Sequence, residues 1–279
     1  MCQYSDIEFN NIYKAIKRRL TYGIFPSKTP QAYILGGQPG AGKTILQRIL
    51  LNKNENTIVI NADDFRKSHP YYNLIQKKYG NVAQNYTQQF INKIVEQLID
   101  ELSSKKYNLI IEGTLRTVEV PLKTCAMLKN RDYYVELDVI AVNKFLSYES
   151  TILRYENAIS IGEIPRATSK QHHDLVVKML PSNLDDIYFH NIFDEIQMFD
   201  RYENCVYNTS LHCSPSIVEK QILYGKLSNE DIKQLYDVVS SIVMLKTQRN
   251  AGDLQEYNMH IKALYNEVNK LQQNNIKLK

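Results

Sequence analysis

The sequence predicts an α/β fold: a parallel sheet with helices on both faces, followed by a helical C-terminal part. Three observations carry this expectation. Short, continuously apolar runs alternate with amphipathic helical patterns, as strands covered on both faces require. A glycine-rich turn joins the first of these runs to the helix after it. Beyond about residue 200 the strand signals fade and helical periodicity takes over.

In chain order, residues 6–22 read as an opening helix, because Ile7, Ile12, Ile16 and Leu20 recur at near-helical spacing. Pro26 and Pro30 are expected to end it. Residues 32–35 form the first strand, closed by Gly36 and Gly37. Ile45, Leu46, Ile49 and Leu50 then share one face of a helix. Residues 57–60 are a second, β-branched strand. Residues 84–103 read as a long helix with Phe90, Ile91, Ile94, Val95 and Leu98 on its apolar stripe. Residues 107–111 and 133–142 are the third and fourth strands, and 147–158 is helical. Further helices are expected over 216–224, 228–247 and 254–278. In the last, Leu254, Tyr257, Ile261, Leu264, Val268, Leu271 and Leu278 fall on a heptad seam with Asn275 as its polar member. That seam either packs on its own domain or offers a coiled-coil surface to a partner. The chain thus divides into a core of residues 1–200 and a helical region 201–279, with a soft boundary that lets the second pack on the first.

Composition narrows the function classes without choosing one. Of 279 residues, 43% are hydrophobic and 23% charged, an ordinary globular balance. The 34 basic and 30 acidic residues leave a formal charge of only +4, so bulk electrostatics call for neither nucleic acid nor an anionic membrane. No apolar run approaches the roughly 20 residues of a membrane span, and the first residues lack a secretory pattern. Cys2, Cys125, Cys205 and Cys213 are scattered, which argues against a disulfide framework or zinc site and for a cytoplasmic location.

The chemistry begins at Gly37-Gln38-Pro39-Gly40-Ala41-Gly42-Lys43-Thr44, a full G-x-x-x-x-G-K-[ST] match between a strand and a helix. The glycines let the backbone turn tightly, so that N–H groups point inward at phosphate oxygens. The following helix offers its positive end to the same anion. Lys43 supplies a point charge for the β/γ-phosphates of ATP, and the Thr44 hydroxyl a ligand for Mg²⁺. The sheet is therefore expected to be of the P-loop NTPase type.

Ligands of such sheets sit beyond the carboxyl ends of the strands. The second strand ends in Asn61-Ala62-Asp63-Asp64-Phe65-Arg66 and the third in Glu112-Gly113-Thr114-Leu115-Arg116. Nucleotide hydrolysis needs one acid to hold the metal. A second acid, with Thr114 and Arg116 beside it, points to a site for another polar substrate. Transfer of a phosphoryl group to a hydroxyl needs a carboxylate to take the proton. Asp63 and Asp64 are equal candidates by pattern, one facing the crevice and the other capping the next helix.

Together, the phosphate loop, Asp63-Asp64-Phe65-Arg66-Lys67-Ser68-His69-Pro70 and Glu112-Gly113-Thr114-Leu115-Arg116 resemble the zeta toxin family over roughly residues 5–200. The resemblance implies a P-loop kinase toxin of a bacterial toxin–antitoxin system. It implies ATP and Mg²⁺ as cofactors and the 3′-hydroxyl of UDP-N-acetylglucosamine as acceptor, which blocks peptidoglycan synthesis. By family position Asp63 becomes the general base, and Glu112, Thr114 and Arg116 bind the sugar nucleotide. Glu96, on the long helix, takes the place of another substrate-binding acid. Arg154 and Arg166, the latter one residue off the family spacing, correspond to two arginines that close over the γ-phosphate. The family also implies a small helical antitoxin as partner, with no nucleic acid or membrane involved. Two other readings stand beside this one: a kinase of an antibiotic, nucleoside or metabolite, and a binding module that uses nucleotide without turnover.

Overall fold

The computed structural model describes residues 4–273. Six strands form one sheet: β1 (Gln31–Gly36), β2 (Thr57–Ile60), β3 (Asn108–Glu112), β4 (Tyr134–Ile140), β5 (Glu195–Phe199) and β6 (Cys205–Asn208). Their order is β2-β3-β1-β4-β5-β6, parallel throughout except that β6 runs antiparallel to β5. The sheet is therefore mixed. The chain crosses residue 200 inside it, and Met198 pairs with Tyr207.

Ten helices surround the sheet among the described residues: α1 (Asp6–Leu20), α2 (Lys43–Lys53), α3 (Tyr72–Tyr79), α4 (Ala83–Ser104), α5 (Glu119–Lys129), α6 (Lys144–Ser160), α7 (Lys170–His190), α8 (Pro215–Tyr224), α9 (Asn229–Gln248) and α10 (Leu254–Gln273). Alternation along β1 and β4 sends successive side chains to opposite faces. Ala32, Ile34, Val135, Leu137 and Val139 meet α1, α4, α5 and α7 through Phe9, Phe90, Leu128 and Leu184. Tyr33, Leu35 and Ile140 meet α2, α6, α9 and α10 through Leu46, Leu146, Ile242 and Tyr257. Both faces are covered, as continuously apolar strands predict.

Several details differ from the sequence reading. Helix α1 closes at Leu20 on the backbone of Thr21, so Pro26 and Pro30 lie beyond its end rather than causing it. Strand β6, Cys205-Val206-Tyr207-Asn208, is too short and polar to signal itself by pattern; it exists because β5 supplies an edge. The heptad seam of α10 turns inward: Tyr257, Leu264 and Val268 are buried in the core cluster, with Ile261 and Leu271 packed against it. Its members Asn275 and Leu278, like Cys2, lie outside the described residues. No helix among the described residues is long and apolar enough to cross a membrane.

Candidate active site

β1 lies between β3 and β4, so the crevice past its carboxyl end is flanked by both neighbours, and the glycine loop occupies it. Gly37, Gly40 and Gly42 adopt φ of +135°, +77° and +100°, the left-handed region that side chains avoid. At Gly37 and Gly40 space forbids a side chain as well: a Cβ on Gly40 would collide with the Ser147 carbonyl of α6. Gln38 is fully buried and anchors the loop by donating to the Val142 carbonyl at 2.6 Å. Pro39 follows it, and Ala41 is buried beneath the loop. Lys43 opens α2 with its ammonium 3.1 Å from the Gly37 carbonyl, and Thr44 beside it is exposed.

The charges around this loop converge. Lys43 Nζ stands 4.0 Å from Glu112 Oε1 at the end of β3, and Gln47 donates to Glu112 Oε2 at 2.6 Å. Burial lowers the Lys43 pKa; Glu112 opposes this, and the guanidiniums of Arg154 and Arg166 deepen it. Burial likewise raises the Glu112 pKa, against the pull of Lys43 and Arg154, while Asp64 pushes the same way as burial. Arg166 forms an ion pair with Asp63, and Arg154 donates to Thr168 at 3.2 Å within the loop that carries Arg166. Three cations thus crowd one mouth, an arrangement that favours an anion with several charged oxygens.

The segment after β2 explains Asp63. Asn61, not Asp63 or Asp64, caps the 3₁₀ turn at 62–68 by accepting from the Asp63 N–H at 3.0 Å, so both aspartates sit in its first turn. This corrects the expectation that one of them is the cap. Phe65 is buried, and His69 packs edge-on against Phe90 with ring centroids 4.8 Å apart. Arg66, also buried, donates to Gln84, Thr87 and Gln88 of α4 and reaches Asp63 at 3.4 Å. The motif's Arg thus reaches Asp63 from α4's side, while its Phe and His are packed into the core. Asp64 is exposed; burial raises its pKa, and Arg19 of α1 opposes the rise.

The segment after β3 is fixed as firmly. Leu115 is buried in a left-handed conformation, φ +53°, and fills the space where a Gly36 side chain would stand. Asn183 of α7 donates to its carbonyl at 2.8 Å. Thr114 is half-buried, and Arg116 is exposed and close enough to depress the His172 pKa, after burial. Glu96 is exposed on α4, and among the described residues no hydrogen bond or ion pair joins it to the charged mouth. The geometry gathers Lys43, Asp63, Glu112, Arg154 and Arg166 around the loop; it does not bring Glu96 or Arg116 into contact with them.

One residue escaped the sequence reading. Arg201, in the β5–β6 turn, donates to the carbonyls of Ala41 (3.1 Å) and Gly40 and to Ser150 of α6 (3.0 Å). Burial pulls its pKa down to about 10. It closes the outer side of the phosphate loop from 160 residues away in sequence. The available signal was its place just past a strand end at the same sheet edge. A cavity of about 500 Å³ between α6, the 161–169 loop and α10 borders Thr168, Tyr155 and Tyr257 but none of the phosphate-loop residues.

Comparison with known proteins finds relatives over most of the chain. The zeta toxin family model matches residues 16–212. Toxin PezT of Streptococcus pneumoniae serotype 4 is 43% identical over 83% of this chain and 93% of its own length. Toxin zeta of Streptococcus agalactiae is 34% identical over 97% of this chain and 91% of its own. Among solved structures, the PezAT chromosomal toxin–antitoxin system of Streptococcus pneumoniae superposes with a TM-score of 0.79 at 38% identity, covering 87% of this chain and 97% of that one. A complex of AvrRxo1-ORF1 and -ORF2 with ATP shares the fold, with a TM-score of 0.57 at 15% identity over 86% of this chain and 85% of that one.

Proposed function

From the premise that the chain belongs to the zeta toxin family, we propose that it is an ATP-dependent kinase toxin acting on the 3′-hydroxyl of UDP-N-acetylglucosamine. The family membership establishes a toxin of a toxin–antitoxin system with a kinase fold. The acceptor, the cofactors and the residue roles are our reading. The observation that carries it is the convergence of Lys43, Arg154 and Arg166 with Asp63 and Glu112 on one glycine cradle.

The residues fit a nucleoside triphosphate. Gly37 and Gly40 leave no room for a side chain beside a loop whose backbone N–H groups would meet phosphate oxygens, and among the described residues Lys43 has no acid closer than 4.0 Å. Thr44, an exposed hydroxyl in the first turn of α2, would hold Mg²⁺, a hard cation that takes oxygen ligands. Held there, it would supply neutralisation of the phosphate charge. Asp63 takes the proton of the attacking hydroxyl as its oxygen bonds to the γ-phosphorus of ATP, while the bond from that phosphorus to the β-phosphate oxygen breaks and ADP leaves. Arg166 and Arg154 meet the charge that spreads over the transferred group, where a guanidinium fork serves better than an ammonium. Glu112, Thr114 and Arg116 orient the sugar nucleotide, with Glu96 a further acid on the acceptor side. A small helical antitoxin as partner is supported by likeness to the PezAT toxin–antitoxin system, and ATP use by the ATP complex of the AvrRxo1 pair. Its place of action is the cytoplasm, where both small molecules occur.

The test is incubation with ATP, Mg²⁺ and UDP-N-acetylglucosamine, followed by phosphorus NMR and mass spectrometry of the nucleotide sugar. The expected product carries one new phosphoryl group on the 3′-oxygen, and Asp63→Asn does not form it. Phosphate on another acceptor alone would replace the substrate. ATP binding with no acceptor phosphorylated in a metabolite panel would favour the binding-module reading.

A further inference from the structure

Helix α7 begins directly after the loop that carries Arg166, and its second turn holds a buried histidine that the chemistry above does not use. His173 retains 1% of its exposure, and its Nε2 lies 2.9 Å from Ser147 Oγ on α6. Ser147 is fully buried and lies 3.3 Å from the Gln38 side-chain amide of the phosphate loop. Asp174 Oδ1 is 3.3 Å from His173 Nδ1. An Asp–His–Ser series of this kind resembles a hydrolase triad, but Ser147 Oγ has no exposed surface, and the same residue's carbonyl presses on Gly40. No substrate reaches it, so nucleophilic chemistry is ruled out.

The proton directions can be assigned from the network. Asp174 accepts, so Nδ1 carries the hydrogen and Nε2 is the acceptor. The Ser147 hydroxyl then donates to His173, a hydrogen it shares with the Lys144 carbonyl at 3.1 Å. The Gln38 amide N–H group donates to Ser147 Oγ while also holding Val142. Every link runs the same way, which strengthens each bond of a buried chain. Burial keeps His173 neutral by lowering its pKa, as its acceptor role requires.

We infer that Ser147 and His173 are positioning residues: the buried chain Gln38–Ser147–His173 ties the phosphate loop to helix α7 and thereby sets the 161–169 loop, with Arg166, relative to bound nucleotide. This rests on the reading of the glycine loop as an ATP site. One end of the chain lies in the element that holds the phosphates, and the other lies one turn past the Ser169 cap of α7. A nucleotide that orders Gln38 therefore orders the start of α7 without touching it.

The test uses the full chain and ATPγS, so it needs no acceptor. Calorimetry gives affinity, and hydrogen exchange gives the protection that ATPγS confers on residues 161–169. Wild type is expected to bind and to protect that loop. Ser147→Ala, in which Gln38 keeps its Val142 bond, is expected to bind within about threefold of wild type yet lose at least about fivefold of the protection, the lower range of measured site-to-site couplings. His173→Leu should match it, and His173→Gln, whose amide oxygen can accept from Ser147, should restore protection. A merely structural role would lower the melting temperature and leave the nucleotide-dependent difference intact. Wild-type protection in Ser147→Ala, or bound ATPγS with no protection in wild type, overturns the coupling. Failure of wild type to bind ATPγS overturns the nucleotide reading itself and the coupling with it.

Discussion

Helix α6 faces two regions with very different treatments of charge. On one side Arg154 joins Lys43 and Arg166 at the phosphate loop, where three cations share too few acids. On the other side Glu149 and Glu156, seven residues apart and both buried, face α9 and α10. Glu149 accepts from Tyr257 at 2.7 Å and pairs with His260 at 2.6 Å. Glu156 pairs with Lys246 at 2.9 Å and with Arg249 through two bonds of 2.7 and 2.9 Å. Burial alone would raise the Glu156 pKa, yet Arg249 and Lys246 hold it below the ordinary value. Buried charge with complete partners belongs to the architecture; buried charge without them is an invitation to a ligand.

The contrast can be broken by substitution. The largest effect is expected at the ligand side: Lys43→Met should lower phosphoryl transfer by about 10³-fold or more while the melting temperature holds or rises, because a desolvated ammonium has gone. Transfer assays and thermal unfolding on one preparation read both. On the structural side, Glu156→Gln removes the buried acid that Lys246 and Arg249 share and leaves them only the exposed Asp253. It should destabilise the fold by about 3 kcal/mol, as breaking a buried pair does, with denaturant titration as the check.

Gly40→Ala sharpens the boundary between the regions. Its Cβ would collide with the Ser147 carbonyl, and its φ of +77° disfavours a side chain. A loss of about 2 kcal/mol should come with loss of ATP affinity, since strain falls on the loop itself. The smallest effect is at His260, whose pKa is raised chiefly by its hydrogen bond to Glu149, against desolvation. A group whose folded pKa exceeds its unfolded value adds stability that is complete below the unfolded pKa and fades as pH rises through the folded one. The stability difference between wild type and His260→Gln should therefore be larger at acidic pH than at alkaline pH, and below about 1 kcal/mol. Melting curves across that range would show a flat difference if the pair contributed nothing.

Much of the site was legible because its residues are local in sequence. The glycine loop, Asp63 and Glu112 each stand at the end of an apolar strand, and a parallel sheet must bring such ends to one edge. What stayed hidden depends on long-range contact. Arg201 reads as one more turn arginine until the chain folds it onto Gly40 and Ala41. Asn61 takes the cap from two aspartates that pattern alone favours. The periodicity of the α10 seam favours its own core but leaves a partner helix open, and packing on Leu235 and Ile242's cluster decides for the core. Strand β6 has no signature because an edge strand borrows its order from its neighbour.

The measurement that bears most directly on the contrast is a crossed pair of lysine variants, Lys43→Met and Lys246→Met, each assayed by ATP calorimetry and by chemical unfolding. Opposite outcomes are expected: Lys43→Met loses ATP binding and keeps its stability, and Lys246→Met keeps ATP binding and loses stability. Intact ATP affinity in folded Lys43→Met, or undiminished stability in Lys246→Met, would contradict the contrast.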